Sequence, residues 1–140
     1  MRKLALLAVL PFNAAAMDYN WEVLRVVDGD TVEVKQQFLP EELRLYVRVL
    51  GIDTPEKKSK CASEVELAYQ ASAITTEIFN VAKKNHSKIT FKKIKWDKYG
   101  GRIDAEIWID DRNVSTDLIA MGVARKYDGG TKQSWCVNGE

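Results

Sequence analysis

Residues 43–56 read LRLYVRVLGIDTPE, and the pattern changes character midway. Leu43, Leu45, Val47 and Val49 alternate with Arg44, Tyr46 and Arg48. That period of two marks a half-buried strand. Asp53-Thr54-Pro55-Glu56 breaks the alternation, and proline suits the turn that opens a helix. Lys57 to Lys60 is a basic, polar stretch that reads as a loop. A helix is then predicted over 63–84. Leu67, Ala71, Ile74, Ile78 and Val81 recur at spacings of four and three, which marks one buried stripe. Lys83, Lys84 and His86 stand at its C-terminal end, where cations suit the helix dipole.

Upstream, Trp21, Val23, Arg25 and Val27 alternate with Glu22, Leu24 and Val26. Asp28-Gly29 signals a tight turn, and 31–34 reads as the returning strand. Residues 36–42 form a mostly polar loop. Downstream, 88–96 alternates again, with Ile89, Phe91 and Ile94 toward the core. Residues 97–101 turn the chain into a fifth strand, 102–109, with Ile103, Ala105, Ile107 and Ile109 on one face. A short helix is predicted over 115–121, and Gly122 fits the left-handed position past its end. The chain after Tyr127 is irregular and glycine-rich. The sum is a mainly β, α+β chain with five strands, one long inserted helix and one short C-terminal helix. That order fits a closed or partly open five-stranded barrel of the OB type. The strand-rich beginning argues against a parallel α/β sheet.

A length of 140 residues favours one domain, and 46% hydrophobic residues suffice for one core. Residues 1–16 read as a cleaved export signal, leaving 17–140 as the domain. Arg2 and Lys3 form a basic start, 4–12 is a short apolar run, and Ala14-Ala15-Ala16 offers a cleavage site. The alternative is a true start at Met17. No later segment is apolar enough to cross a membrane, so the mature chain is expected in the periplasm or the medium, as a monomer. Removing 1–16 leaves 19 basic and 20 acidic residues, a net charge of −1. Such a balance argues against a strong non-specific nucleic-acid coater and puts any phosphate affinity in local charge placement. Cys61 and Cys136 are the two cysteines. In an oxidising compartment an even count invites a disulfide, against the alternative of two free thiols.

Three segments carry candidate chemistry: Asp28-Gly29-Asp30-Thr31, Arg48 with Asp53-Thr54-Pro55-Glu56, and Asp97-Lys98-Tyr99-Gly100-Gly101-Arg102. Read singly, each is a common turn. Together they have a chemical logic. Asp30 and Asp53 supply carboxylate oxygens without sulfur or imidazole, which suits a hard cation and disfavours zinc. Arg48 and Arg102 carry the planar fork that grips phosphate at two points. Glu56 can orient or deprotonate a water. A metal and two arginines can neutralise charge that builds on an attacked phosphodiester.

These motifs resemble the staphylococcal nuclease (thermonuclease) family. The likeness rests on Val-Asp-Gly-Asp-Thr-Val at 27–32, Val-Arg-Val-Leu-Gly-Ile-Asp-Thr-Pro-Glu at 47–56 and Asp-Lys-Tyr-Gly-Gly-Arg at 97–102, in that order. The resemblance implies an OB-type barrel and a Ca²⁺-dependent nuclease that cuts the 5′ P–O bond of DNA and RNA and leaves 3′-phosphate ends. It implies Asp30, Asp53 and the carbonyl of Thr54 as calcium ligands, and Glu56 acting on the attacking water. It implies Arg48 and Arg102 on the phosphate, with Lys98 and Tyr99 bordering the nucleotide and Tyr127 loosely matching another nucleotide contact.

The sequence departs from the family pattern at three points. An extra glycine precedes Arg102 and is placed in the turn, which keeps Arg102 on the polar face with Asp104 and Glu106. Asp104 stands where the family is usually apolar. The chain stops soon after Trp135, without the third helix of the type member, and the cysteine pair is a candidate fastener for this tail. His86 reads as a surface residue. Trp21, Trp96, Trp108 and Trp135 can stack on bases, although packing is the default for aromatics in strands. Lys92, Lys93 and Lys95 read as a solvated face. The competing function is a non-catalytic OB module that binds single-stranded nucleic acid, because OB barrels host many functions.

Overall fold

The structure is a computed structural model and describes residues 16–137. The export signal expected over 1–16 lies outside those residues but for its last alanine. Strands β1 (Glu22–Asp28) and β2 (Thr31–Lys35) form a hairpin, and β2 pairs antiparallel with β3 (Leu45–Val49). The chain passes through Gly51 into β4 (Ile52–Asp53) and then into helix α1 (Ala62–Lys84). A second hairpin joins β5 (Ile89–Trp96) to β6 (Ile103–Ile109). Then come β7 (Arg112–Asn113), helix α2 (Val114–Ala120) and β8 (Arg125–Lys126), which pairs with β4.

The main sheet runs β1-β2-β3-β6-β5. β3 and β6 pair in parallel, with Val47, Arg48 and Val49 opposite Ile103, Asp104 and Ala105. A parallel pair needs a long crossover, which α1 and β5 provide. The outer strands meet where Tyr19 and Phe91 exchange backbone hydrogen bonds of 3.0 and 2.8 Å. The predicted order of five strands and two helices is therefore present, as a partly open barrel. Its core is built by Val32, Val34, Val47, Val49, Phe91, Ile103, Ala105, Ile107 and Ile109 with Phe79, Ala82 and Leu118 from the helices. Among the described residues no helix is long and apolar enough to cross a membrane.

Two faces differ from the expectation. β1 carries a bulge between Val23 and Arg25. The extra residue resets the alternation, so Val23 and Val26 pack on the core and Leu24 is exposed. On α1 the fully buried row is Ala68, Ala71, Thr75, Phe79 and Ala82. Ile74 and Ile78 flank it, and Val81 faces solvent. Small residues let the helix sit close to the sheet, so they outrank the larger side chains that periodicity favours.

Cys61 and Cys136 form the expected disulfide, 75 residues apart in sequence. The bond fastens the irregular tail to the start of α1, and Val137 N–H donates to Ser63 Oγ beside it. Tail packing continues where the Arg125 guanidinium lies 3.7 Å from the Trp135 ring centroid.

Candidate active site

The β1–β2 turn is held against α1 by its smallest residue. A Cβ on Gly29 would stand 2.8 Å from Ala71 Cβ and 3.3 Å from the Thr54 side chain. Close approach is what demands glycine here. Thr75 Oγ1 donates to the Gly29 carbonyl at 2.8 Å and ties the same turn to the helix. The turn delivers Asp30, which is buried and accepts from Thr31 Oγ1 at 2.9 Å. Its neighbour Asp28, the last residue of β1, pairs with Lys57 at 3.4 Å.

The β2–β3 register then sets the first arginine. Thr31 lies opposite Arg48, so the Arg48 guanidinium reaches back to Asp30 at 3.6 Å. A second anchor is its Nη2, which donates to the Ile52 carbonyl at 3.0 Å. The Tyr127 ring centroid lies 5.8 Å from the Arg48 guanidinium carbon. Past β3, Asp53 and Thr54 are buried and Glu56 is open, with 60% of its side chain exposed. Partial burial, then the negative charges of Asp30, Asp28 and Asp53, push Glu56 above the usual glutamate range, against the pull of Lys132. With so open a side chain, the charge of the neighbouring carboxylates is the firmer cause.

Asp53 is 4% exposed, and both of its oxygens face the tail. Trp135 Nε1–H donates to Oδ2 at 2.9 Å. Lys132 Nζ stands 2.8 Å from Oδ1 and 3.6 Å from a Glu56 oxygen. Oδ1 accepts no hydrogen bond of good angle, but at 2.8 Å the ammonium charge is its partner. Burial draws Lys132 down, yet Asp53 and Glu56 outweigh that and hold its ammonium above the ordinary lysine range. Asp30, Asp53 and Glu56 do not bring one oxygen each within 4.8 Å of one another. Among the described residues the three ligand atoms that lie so close are the sulfurs of Cys61 and Cys136 with a Glu64 oxygen, and those sulfurs are already bonded to each other.

The third segment forms the opposite wall. The backbone bond from Asp97 N–H to the Arg102 carbonyl, 3.1 Å, closes the β5–β6 turn, and Gly100 and Gly101 both take positive φ within it. The extra glycine is thus absorbed in the turn. Arg102 ends one residue before β6 and pairs with Asp97 at 3.5 Å. Asp104 is buried, and its Oδ1 has no hydrogen-bond partner. Burial and the neighbouring Asp97 push Asp104 above the usual aspartate range, although Arg48 and Arg102 oppose this. Arg48, Arg102, Tyr127 and Lys132 line one cleft of about 590 Å³ with Lys98 and Tyr99. Lys98 Nζ lies 5.0 Å from the Tyr99 ring centroid, and Tyr99 is exposed.

The three segments converge: Arg48, Lys98, Tyr99 and Arg102 line this cleft, while Asp30 touches it through Arg48 and Asp53 and Glu56 through Lys132. Each wall presents one guanidinium already paired with a carboxylate, Arg48 with Asp30 and Arg102 with Asp97. Lys132 is not among the expected residues, and Trp135 and Asp97 take partners the sequence does not assign them. Lys132 and Trp135 lie in a tail without periodicity, and Cys136 was the signal that pins them to the site.

Comparison with known proteins adds an independent line. The family described as staphylococcal nuclease homologue matches residues 46–135. The chain is 28% identical to "Thermonuclease" of Staphylococcus hyicus over 82% of this chain and 66% of that protein. It is 30% identical to "Protein ParB" of Escherichia coli over 91% of this chain and 68% of that protein. It is 34% identical to "SPbeta prophage-derived endonuclease YokF" of Bacillus subtilis (strain 168), over 77% of this chain and 35% of that protein. The chain therefore spans just under two thirds of the thermonuclease's length.

Proposed function

This chain belongs to the family of staphylococcal nuclease homologues, and on that premise we propose that it is a Ca²⁺-dependent nuclease that hydrolyses DNA and RNA and leaves 3′-phosphate ends. The observation that carries the reading is one cleft lined by Arg48 and Arg102 and bordered by Asp53 and Glu56 through their shared cation, Lys132.

The donor set fits calcium. Carboxylates and a carbonyl are the ligands a hard cation takes, and Asp53 already holds a positive group at 2.8 Å. Asp30, Asp53 and the Thr54 carbonyl would hold the ion. When bound, it supplies positive charge that polarises a phosphodiester. Arg48 and Arg102 grip the phosphate and offset the charge that develops as it is attacked. Glu56 orients the attacking water and takes up its proton. Cleavage of the 5′ P–O bond releases the 5′ oxygen, which takes a proton from solvent, and leaves phosphate on the 3′ oxygen. Lys98 and Tyr99 border the nucleotide.

Export and monomeric action complete the reading. The basic start, apolar run and alanines of residues 1–16 support export, and a disulfide suits an oxidising compartment. A 5′-labelled oligonucleotide tests the chemistry. Labelled fragments with 3′-phosphate ends are expected, and fragments with 3′-hydroxyl ends would contradict the proposed bond cleavage.

A further inference from the structure

Lys132 has no part in the chemistry proposed above, yet it stands on two of its carboxylates. We propose that Lys132 is a tethered competitor for the divalent cation. Its ammonium holds the cation's place at Asp53 and Glu56, and the Cys61–Cys136 bond keeps it there until a metal ion displaces it. The inference rests on the proposed assignment of Asp53 as a metal ligand.

The geometry of Asp53 makes the two cations mutually exclusive. One carboxylate oxygen is committed to the Trp135 indole at 2.9 Å, and the other faces Lys132 at 2.8 Å. A divalent ion at Oδ1 would meet the ammonium at contact distance, with like charges opposed. Asp53 is buried, so little solvent screens this pair. Lys132 itself keeps 44% of its side chain exposed, so it has a route out.

The tether raises the competitor's local concentration. On one side of Lys132, Tyr127 N–H donates to the Gly51 carbonyl at 2.9 Å and Lys126 pairs with Ile52. On the other side Cys136 is bonded to Cys61. The loop between these anchors is short, and it returns the ammonium to Asp53 after each excursion. Opening the disulfide removes one anchor, so the same lysine competes less well.

Binding of Tb³⁺ alone, an oxygen-seeking ion of calcium's size, tests this without nucleic acid. Trp135 lies against Asp53 and serves as the antenna for its luminescence. Lys132→Met should bind the ion about tenfold more tightly than wild type, the worth of one charged contact. Lys132→Arg, which keeps the charge, should stay near wild type. The Cys61→Ser/Cys136→Ser double variant should move in the direction of Lys132→Met but less far, with circular dichroism confirming the fold of each. Equal or weaker binding by Lys132→Met, or no ion bound by either protein, overturns the competitor. Cleavage assays on the same samples separate the two readings. Unchanged affinity with calcium-dependent cleavage intact sinks the competitor alone. Tighter binding by Lys132→Met with no cleavage by any sample sinks the nuclease alone.

Discussion

Arg48 and Asp30 face each other across neighbouring strands, with the guanidinium 3.6 Å from the carboxylate. The pair joins the two halves of the site. Asp30 is the proposed cation ligand and Arg48 the proposed phosphate partner, and in this structure each offsets the other's charge. Arg48 already lines the cleft while it holds Asp30, so a phosphate bound there would share the guanidinium with that carboxylate.

Arg48→Ala is therefore expected to lower kcat on the order of 10² to 10³-fold, as loss of one charge-stabilising donor does. Arg102→Ala should do the same from the other wall. Arg48→Lys should recover only part of the loss, because an ammonium lacks the two-point fork. Steady-state cleavage of an oligonucleotide checks this. A fall smaller than about tenfold in both alanine variants would remove the arginines from the proposed role.

Gly29→Ala is expected to destabilise the fold. The new methyl would lie 2.8 Å from Ala71 Cβ, on a helix that cannot yield without moving its neighbours. Overpacking of this kind costs about 1–3 kcal/mol. Thermal unfolding measures it, and an unchanged midpoint would show that the turn and α1 are less closely joined than the structure has them.

Much of this architecture is legible in the sequence. The period of two in Leu45 to Val49 and the apolar face of Ile103 to Ile109 mark their strands correctly, because one face of each is buried, whereas Leu43 falls before β3 and is exposed. β4, β7 and β8 have two residues apiece, too few to show any period. The β1 bulge hides because one inserted residue leaves composition unchanged while it switches faces. On α1 the predicted stripe holds Ala71, but Ala68 and Ala82 are buried for their small size, which a search for large apolar residues passes over. At the site, contiguous motifs locate Asp30, Arg48, Asp53 and Glu56. Lys132 and Trp135 reach Asp53 only through tertiary contacts fixed by a disulfide, and no local pattern encodes that.

Glu33 makes the fold acid-sensitive. It is 1% exposed and bonded to Arg25 and Arg44. Burial pushes its carboxyl up, but the hydrogen bonds and charges of Arg44 and Arg25 prevail and set it below the ordinary glutamate range. A lowered folded value means stability that is present above the unfolded pKa and lost as pH falls through the folded one. The arginines are largely open to solvent, so screening keeps the pair's contribution small. Glu33→Gln should thus be less stable than wild type at neutral pH and match it in strong acid. Urea unfolding at both pH values decides it, and a constant difference would contradict the assignment.

Asp104 should behave in the opposite sense. Its folded pKa is raised by burial and by Asp97, so its contribution to stability is full at acid pH and lost as pH rises through that value. Asp104→Asn removes a buried charge beside Arg102. A midpoint higher by about 3 °C at neutral pH is expected, shrinking in acid, together with a lower KM as competition for the arginines falls. A destabilised variant with unchanged KM would show that the carboxylate has a structural partner after all.

The central claim is that one cleft joins cation, phosphate and water chemistry in a working nuclease. Initial rates of plasmid DNA and RNA cleavage test it most directly, for wild type and Glu56→Gln side by side in millimolar Ca²⁺ (about the range of weak extracellular sites) and again with EDTA. Wild type should cut both substrates with calcium and neither with chelator, and Glu56→Gln should fold normally and cut far more slowly. A folded wild type that binds nucleic acid without cutting it, or cuts at equal rate with EDTA or with Glu56→Gln, would contradict it.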